Sequence, residues 1–275
     1  MDAKLQRRIQ RYGWDKAVGD YEAGWRAQLE PAQSLMMDLA ALQPGERVLD
    51  VACGTGLVSF RIADAVGNEG AVVGTDISGE MVEAARRLAA ARNIANARFE
   101  RCDAEALNVD EAPFDAALCG LGLMYVPDPV KALGAMRRLL KPGGRTAVAV
   151  WGARAKCGWA EIFPITDARV ASDVCPMFFQ LGTQDMLARS FADAGYTEIR
   201  SERLDVTLVY GSDDEALRAA FRGGPVALAY SRFDDATKQA VHAEYLRSIA
   251  AFRTDGTYRI PGEFVVATGV KPPQN

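Results

Sequence analysis

The chain has 275 residues, 49% hydrophobic and 25% charged, with a net charge of −4. This composition is that of a globular protein, and the lack of a basic excess argues against a nucleic-acid partner. The sequence contains no apolar run of about 18 residues, so no membrane span is predicted. The five cysteines lack paired spacing and fit a reducing compartment better than a disulfide framework.

Residues 1–40 have the pattern of helices that precede the core. Met1–Gln6 lacks the apolar stretch of a signal peptide, so we expect a cytoplasmic protein without stable membrane insertion. Leu5, Ile9 and Tyr12 share one helical stripe, and basic residues lie away from it. A helix on a membrane surface and the solvated face of a cap helix both fit this pattern, and we favour the cap.

A strand and the turn after it are the most informative stretch of the chain. Val48–Val51 is a short apolar run suited to a strand that is buried on both faces of a parallel sheet. Gly54-Thr55-Gly56 follows, and glycine lets the backbone approach a ligand closely. Apolar residues then recur with helical spacing over 57–66. Strand, glycine turn and helix is how doubly wound folds open a ligand crevice.

Several details argue against a dinucleotide in this crevice. The third glycine of the dinucleotide fingerprint is missing, because Leu57, Val58 and Ser59 follow Gly56. Asp50 at the strand end would disfavour a phosphate and favour a cation. Asp76 ends the next apolar run, where a carboxylate can accept hydrogen bonds from both hydroxyls of a ribose.

Further strands alternate with helices, and two long segments interrupt the alternation. The third strand contains few apolar residues and is expected near the sheet edge. Residues 155–182 are rich in aromatic residues and prolines, and residues 211–259 are mostly helical in pattern. The predicted strands are Arg98–Cys102, Phe114–Cys119, Thr146–Trp151, Thr197–Val209 and Glu263–Thr268.

Five segments, in order, resemble motifs of the class I S-adenosylmethionine-dependent methyltransferases. They are Val48–Gly56, Gly74–Ser78 with Met81, Cys102–Glu105, Phe114–Pro129 and Lys141–Arg145. The resemblance implies an α/β fold with a Rossmann-like, doubly wound sheet of seven mostly parallel strands, an antiparallel last strand and helical cap insertions.

On this basis the chain divides into six segments. They are a helical cap (1–40), the cofactor-binding half of the core (41–154), an insertion over the active site (155–182), a second core segment (183–210), a helical insertion (211–259), and the last core strand with the tail (260–275).

The resemblance implies transfer of a methyl group from S-adenosylmethionine to a small-molecule acceptor, leaving S-adenosylhomocysteine. Such an in-line displacement mainly requires alignment of the reactants and exclusion of water. The chain looks similar to quinone-biosynthesis methyltransferases, so a ring carbon or hydroxyl acceptor is favoured. Cys119–Gly122 lacks the Pro-Pro-aromatic signature of enzymes that methylate nucleobase or amide nitrogens. An NAD-dependent oxidoreductase and an inactive S-adenosylmethionine-binding protein stay open as alternatives, as does a homodimer.

Site residues follow from the resemblance by position. The Asp76 carboxylate would hold the ribose hydroxyls, and Asp103 would accept a hydrogen bond from the adenine amino group. The cofactor-binding candidates are Asp50, Ala52, Gly54, Thr55, Gly56, Asp76, Ile77, Met81, Asp103, Ala104, Cys119 and Leu121.

Aromatic residues outside these motifs are the candidates for acceptor binding. They are Tyr21, Trp25, Tyr125, Trp151 and Phe178, and an aromatic lining favours an apolar or ring-bearing acceptor. Tyr125 and the one histidine, His242, are the catalytic candidates. No metal is predicted: Cys53, Cys102 and Cys119 could suggest metalloid chemistry, but no close cysteine pair supports it.

Overall fold

A mixed sheet with helices on both sides forms the core of the computed structural model, which describes residues 2–110, 112–171, 175 and 177–273. Positions 172–174 and 176 of the predicted insertion lie outside the described residues. The strands are β1 (Arg47–Val51), β2 (Ala71–Asp76), β3 (Ala97–Arg101), β4 (Phe114–Gly120), β5 (Leu140–Trp151), β6 (Thr197–Tyr210), β7 (Arg253–Thr254) and β8 (Thr257–Val270). The helices are α1 (Ala3–Ala40), α2 (Leu57–Val66), α3 (Gly79–Ala91), α4 (Pro129–Leu139), α5 (Ile162–Asp167), α6 (Met186–Asp193), α7 (Asp213–Leu217), α8 (Ala227–Tyr230) and α9 (Asp235–Ile249).

The sheet has the order β3-β2-β1-β4-β5-β8-β6. Strands β1 to β5 pair in parallel, and β8 inserts between β5 and β6 and runs antiparallel to both. The predicted fold class is therefore confirmed, including the antiparallel last strand and the position of β3 at the edge. The carboxyl ends of β1, β2 and β4 meet at one edge of the sheet, where a doubly wound fold binds its ligands.

The last strand is longer than the sequence pattern predicted. It begins at Thr257 instead of Glu263 and pairs with the two-residue strand β7 across a hairpin. Asp255 and Gly256 both have positive φ angles, of 49° and 82°, as a two-residue hairpin turn requires. Sheet pairing thus begins inside the segment that was predicted as a helical insertion.

Helix α1 is one continuous helix of 38 residues. Its first half turns small and polar side chains inward, among them Gln6, Gln10 and Gly13, whereas Leu5 and Tyr12 are 38% and 45% exposed. The apolar stripe seen in the sequence therefore lies on the outer side of the helix. Its second half is anchored in the hydrophobic core. Among the described residues, no helix combines the length and the apolar character needed to cross a membrane.

Two glycines of α1 provide a matched test of this packing. A Cβ added at Gly24 would lie 2.9 Å from Ala219 Cα, where α1 crosses the π-helical turn Arg218–Arg222, whereas a Cβ at Gly19 would meet nothing within 4 Å. Gly19→Ala should raise the free energy of unfolding by about 1 kcal/mol, since alanine favours a helix. Gly24→Ala should lower it, because overpacking costs about 1–3 kcal/mol.

Urea denaturation followed by circular dichroism measures both changes. Equal stabilisation of the two variants would contradict the close crossing of α1 over the π-helical turn.

Candidate functional site

A cleft of about 730 Å³ opens at the carboxyl ends of the parallel strands. It lies where the sequence motifs predicted the cofactor. Eight predicted cofactor residues line it: Ala52, Gly54, Asp76, Ile77, Met81, Asp103, Ala104 and Leu121. The other lining residues are Arg7, Gln10, Trp14, Tyr21, Cys102, Gly120, Gly122, Tyr125, Val126 and Pro127.

The Asp76 carboxylate organises the floor of the cleft. It ends β2 and is only 7% exposed. Its Oδ2 accepts a hydrogen bond from the backbone N–H of Gly54 at 2.9 Å, and its Oδ1 accepts one from the N–H of Ser78 at 2.9 Å. Burial raises its pKa to about 6 against these stabilising hydrogen bonds. Each carboxylate oxygen can accept a further hydrogen bond, so the group can still bind a ligand hydroxyl.

A second carboxylate, Asp50, is buried beneath the glycine turn. It is 1% exposed, and its Oδ2 accepts a hydrogen bond from the Ser59 hydroxyl at 2.5 Å. Its Oδ1 has no hydrogen-bond partner among the residues that the structure describes. Burial raises the pKa of Asp50 to about 7, with the nearby charge of Asp76 adding to the rise. A cation bound near this pair would be stabilised by both carboxylates.

Two cleft residues have backbone conformations that side chains other than glycine rarely adopt. Ala52, after β1, has a φ of 56°, and Leu121, after β4, has a φ of 66°. Such conformations cost about 1 kcal/mol or more each and cluster at functional sites. They turn the backbone at adjacent strand ends toward the cleft. Gly122 follows Leu121, and a Cβ there would lie 2.3 Å from Ala52 Cβ, so only glycine fits.

Helix α1 supplies a wall of the cleft that the sequence analysis missed. Arg7 forms ion pairs with Glu105 and, at 3.1 Å from Nε to Oδ2, with Asp103. Asp103 also accepts a hydrogen bond from the N–H of Glu105 at 2.9 Å. Both of its carboxylate oxygens therefore have protein partners. Further along, Asp15 accepts a hydrogen bond from the Ser78 hydroxyl at 2.6 Å, which fixes α1 to the segment after β2.

The sequence held only an indirect signal for these contacts. Basic residues at helical spacing on α1 were interpreted as a solvated face, because the partner of Arg7 lies 98 residues away in the chain. Trp14 belongs to the same aromatic group as Tyr21, and it lines the cleft beside that residue.

A second, aromatic cavity of about 320 Å³ adjoins the cleft. All five predicted acceptor-binding residues, Tyr21, Trp25, Tyr125, Trp151 and Phe178, line it. The other lining residues are Trp14, Leu29, Leu121, Met124, Trp159, Gly224 and Pro225. The two cavities share Trp14, Tyr21, Leu121 and Tyr125, so these four residues form their junction.

Some predicted site residues line neither cavity. Thr55 and Cys119 are buried at 2% and 1% exposure, and burial raises the pKa of the Cys119 thiol to about 12. Gly56 has a φ of 92° and begins α2, where a Cβ would collide with the ring of Phe60. Its role is thus in the turn itself.

His242 also lies away from both cavities. It is on α9, and its Nε2 is 3.0 Å from the Tyr230 hydroxyl. Partial burial and nearby Lys238 lower its pKa. This placement gives a general base at His242 no support.

The described residues contain no group of three or more His, Cys, Asp or Glu side chains that could hold a metal ion. The five cysteines, including Cys53, Cys102 and Cys119, are free.

Comparisons with known proteins agree with this geometry. A family model described as a methyltransferase domain matches residues 42–170. The ubiquinone/menaquinone biosynthesis C-methyltransferase of Teredinibacter turnerae is 35% identical over 54% of this chain and 59% of that protein. The demethylmenaquinone methyltransferase of Listeria welshimeri is 32% identical over 60% of this chain and 75% of that protein.

The fold also matches a solved structure. The phosphoethanolamine N-methyltransferase 2 of Haemonchus contortus, in complex with S-adenosylhomocysteine, superposes with a TM-score of 0.61 at 16% identity, over 94% of this chain and 57% of that chain. This likeness concerns the fold alone. The matches span between about a third and three fifths of the length of the first curated relatives.

The buried carboxylates predict a pH dependence of stability. Because the pKa of Asp50 rises from 3.8 in the unfolded chain to about 7 in the folded one, the folded state binds the extra proton. The contribution of protonated Asp50 to the free energy of unfolding is fully present below about pH 4. It is lost as the pH rises to about 7, and the free energy of unfolding then falls by up to about 1.4 kcal/mol per pH unit. Asp50→Asn should flatten the profile over this range, as measured by urea midpoints across the pH range.

Asp64→Asn serves as the control, because Asp64 is exposed on α2. Profiles of Asp50→Asn and wild type that run parallel would contradict the raised pKa.

Proposed function

Because the chain belongs to the S-adenosylmethionine-dependent methyltransferase family, we propose that it transfers a methyl group from this cofactor to a small, ring-bearing acceptor. The reaction is an in-line displacement at a ring carbon or a hydroxyl oxygen. The observation that carries the proposal is the junction of the cofactor cleft with an aromatic cavity, since a methyl group must pass directly from one ligand to the other.

The residues of the cleft fit the cofactor. The cleft is lined both by carboxylates and by apolar side chains, as a nucleoside joined to an amino acid requires. Asp76 has acceptor capacity left for ribose hydroxyls, and Ile77 and Met81 offer apolar surface to a base. Gly54 lines the cleft with a φ of 55°, and the space beside it is limited only by the Tyr21 ring. Bound there, S-adenosylmethionine supplies a methyl group activated by a positively charged sulfur.

The protein's own groups then align the reactants and keep water out. Helix α1 covers the cleft, and the ion pairs of Arg7 with Asp103 and Glu105 hold its first turns down. The buried carboxylates of Asp50 and Asp76 favour the positive charge of the cofactor. Ala104 lies between the two acidic partners of Arg7 and would offer its backbone N–H to the adenine. These roles follow the motif positions.

The names of the two similar curated proteins favour a ring-bearing acceptor. One is named for ubiquinone/menaquinone biosynthesis, and the other is named a demethylmenaquinone methyltransferase. The aromatic cavity is lined mostly by apolar and aromatic side chains, among them Trp151 and Trp159, which pack edge-to-face with ring centroids 4.8 Å apart, and such a lining also suits a ring-bearing ligand.

Calorimetric titration with S-adenosylmethionine and, separately, with NAD tests the proposal. We expect binding of S-adenosylmethionine and a dissociation constant about 10- to 100-fold higher in Asp76→Asn, since one hydrogen-bonded charge is lost. Asp64→Asn, exposed on α2, should bind like wild type.

Binding of NAD alone would overturn the proposal and favour an oxidoreductase. Tight binding of S-adenosylmethionine without turnover in a screen of hydroxylated ring compounds would favour a binding protein.

A further inference from the structure

Two tyrosine side chains form the junction between the cleft and the aromatic cavity. Tyr21 comes from α1 and Tyr125 from the loop after β4, and both line both cavities. Trp14 stands edge-on to both, with ring centroids 5.7 Å from Tyr21 and 5.2 Å from Tyr125. Neither tyrosine hydroxyl has a hydrogen-bond partner within the part of the chain that the structure describes. Each hydroxyl therefore keeps its hydrogen-bonding capacity for a ligand atom in the spaces that its residue lines.

Both hydroxyls act as donors at neutral pH. Burial raises the pKa of Tyr21 far above its usual value, and the carboxylate of Asp76 raises it further. Burial likewise raises the pKa of Tyr125, with Cys175 and Tyr21 adding to the rise. A phenol with a raised pKa keeps its proton, so neither group can serve as a general base.

The described lining of the aromatic cavity offers donors and no base. Among the residues that the structure describes, this lining contains no Asp, Glu, Lys, Arg or His side chain. The Trp25 indole N–H donates a hydrogen bond to the carbonyl of Ala219 at 3.1 Å, and the Trp159 N–H is buried without a partner among the described residues. An aliphatic alcohol would need a base to lose its proton, and a protonated amine would need a carboxylate to bind. The lining residues that the structure describes provide neither for such acceptors.

Building on the proposed function, we propose that the acceptor is a flat hydroxyarene or enol whose oxygen accepts hydrogen bonds from Tyr21 and Tyr125, and that its own acidity supplies the nucleophile. The acceptor O–H ionises, and its proton leaves to solvent. An electron pair on its oxygen or on the conjugated ring carbon forms the new bond to the methyl group while the methyl–sulfur bond breaks. The sulfur leaves as a neutral thioether, so the charge of the anion and that of the sulfonium cancel. When the ring carbon is methylated, the neutral dienone that forms then loses the proton of that carbon to solvent and its oxygen regains a proton, which restores the hydroxyarene. Tyr21 and Tyr125 are thus positioning residues that select the class of acceptor.

Ligand selectivity tests the hydroxyl contacts. Equilibrium dialysis of the full chain saturated with S-adenosylhomocysteine compares 2-naphthol with naphthalene, which lacks the oxygen. We expect wild type to favour 2-naphthol about tenfold or more, and Tyr21→Phe and Tyr125→Phe each to reduce that ratio about three- to tenfold. Naphthalene binding should stay unchanged, because phenylalanine keeps the ring. Tyr12→Phe is the control, since Tyr12 lies exposed on the same helix as Tyr21.

Ionisation of a bound ligand tests the second half of the proposal and separates donation from packing. The absorbance of bound 4-nitrophenol reports its ionisation. Its apparent pKa should be about one unit lower with S-adenosylmethionine than with S-adenosylhomocysteine, because the sulfonium stabilises the anion. Tyr125→Phe should raise that pKa with either cofactor form, a change that loss of packing alone would not produce.

The outcomes distinguish failure of the proposed function from failure of the inference about the two tyrosine hydroxyls. Failure of wild type to bind S-adenosylhomocysteine would overturn the proposed function. Binding of the cofactor product together with equal affinities for 2-naphthol and naphthalene would overturn the present inference alone. An unchanged 4-nitrophenol pKa in Tyr125→Phe would likewise overturn the donor role.

Discussion

The hydrogen bonds of one buried carboxylate hold the site together. Asp76 joins the end of β2 to the glycine turn after β1 through the N–H of Gly54, and to the start of α3 through the N–H of Ser78. A backbone hydrogen bond from the N–H of Cys53 to the carbonyl of Thr75, at 2.9 Å, joins the same turn to β2, and the two contacts together fix its position relative to the neighbouring strand. Because parallel strands end at the same edge, one carboxylate at that edge can define the floor of a cleft. Asp50, beneath the same turn, adds a second buried charge within the influence of the first.

The opposite side of the site is built by α1. Its second half is anchored in the core, and its first half extends over the strand ends. The inward face of that first half is polar and small because it meets a cleft and loop carboxylates rather than a hydrophobic core. Gln10, for instance, donates a hydrogen bond to the Cys175 sulfur at 3.3 Å, in the segment that follows α5. One helix thus connects the cofactor side to the segment that closes the aromatic cavity.

Local patterns in the sequence predicted the sheet well and the cap poorly. The apolar run of β1, the glycine turn and Asp76 are features whose physical meaning is local, so the position of the cleft followed from them. The arrangement of the sheet, with its antiparallel last strand, followed from the resemblance to the methyltransferase family. The inner face of α1 depends on partners distant in the chain, such as Glu105 for Arg7, and no local periodicity contains that information. The same limit explains why His242 was predicted as a catalytic candidate although it lies away from both cavities. The position of a histidine in the sequence does not indicate how far it lies from a cleft in the folded chain.

Backbone conformation set a further limit. Ala52 and Leu121 adopt positive φ angles. A glycine at such a position would have indicated this conformation in the sequence, whereas alanine and leucine do not. By contrast, Asp255-Gly256 is a strong hairpin signal that the helical interpretation of 211–259 overlooked. The aromatic residues were predicted as a group, but only the folded chain brings Trp25, Trp151 and Phe178 to one cavity.

The shared wall between the two cavities has a thermodynamic consequence. Tyr21 and Tyr125 contact the contents of both spaces, so a ligand that shifts either ring changes the shape offered to the other ligand. The two binding equilibria are then linked, and the factor by which one ligand changes the affinity for the second is the factor by which the second changes the affinity for the first. A loaded cleft and an empty one thereby present different surfaces to an arriving acceptor, and an occupied aromatic cavity changes the cleft to the same extent in free energy.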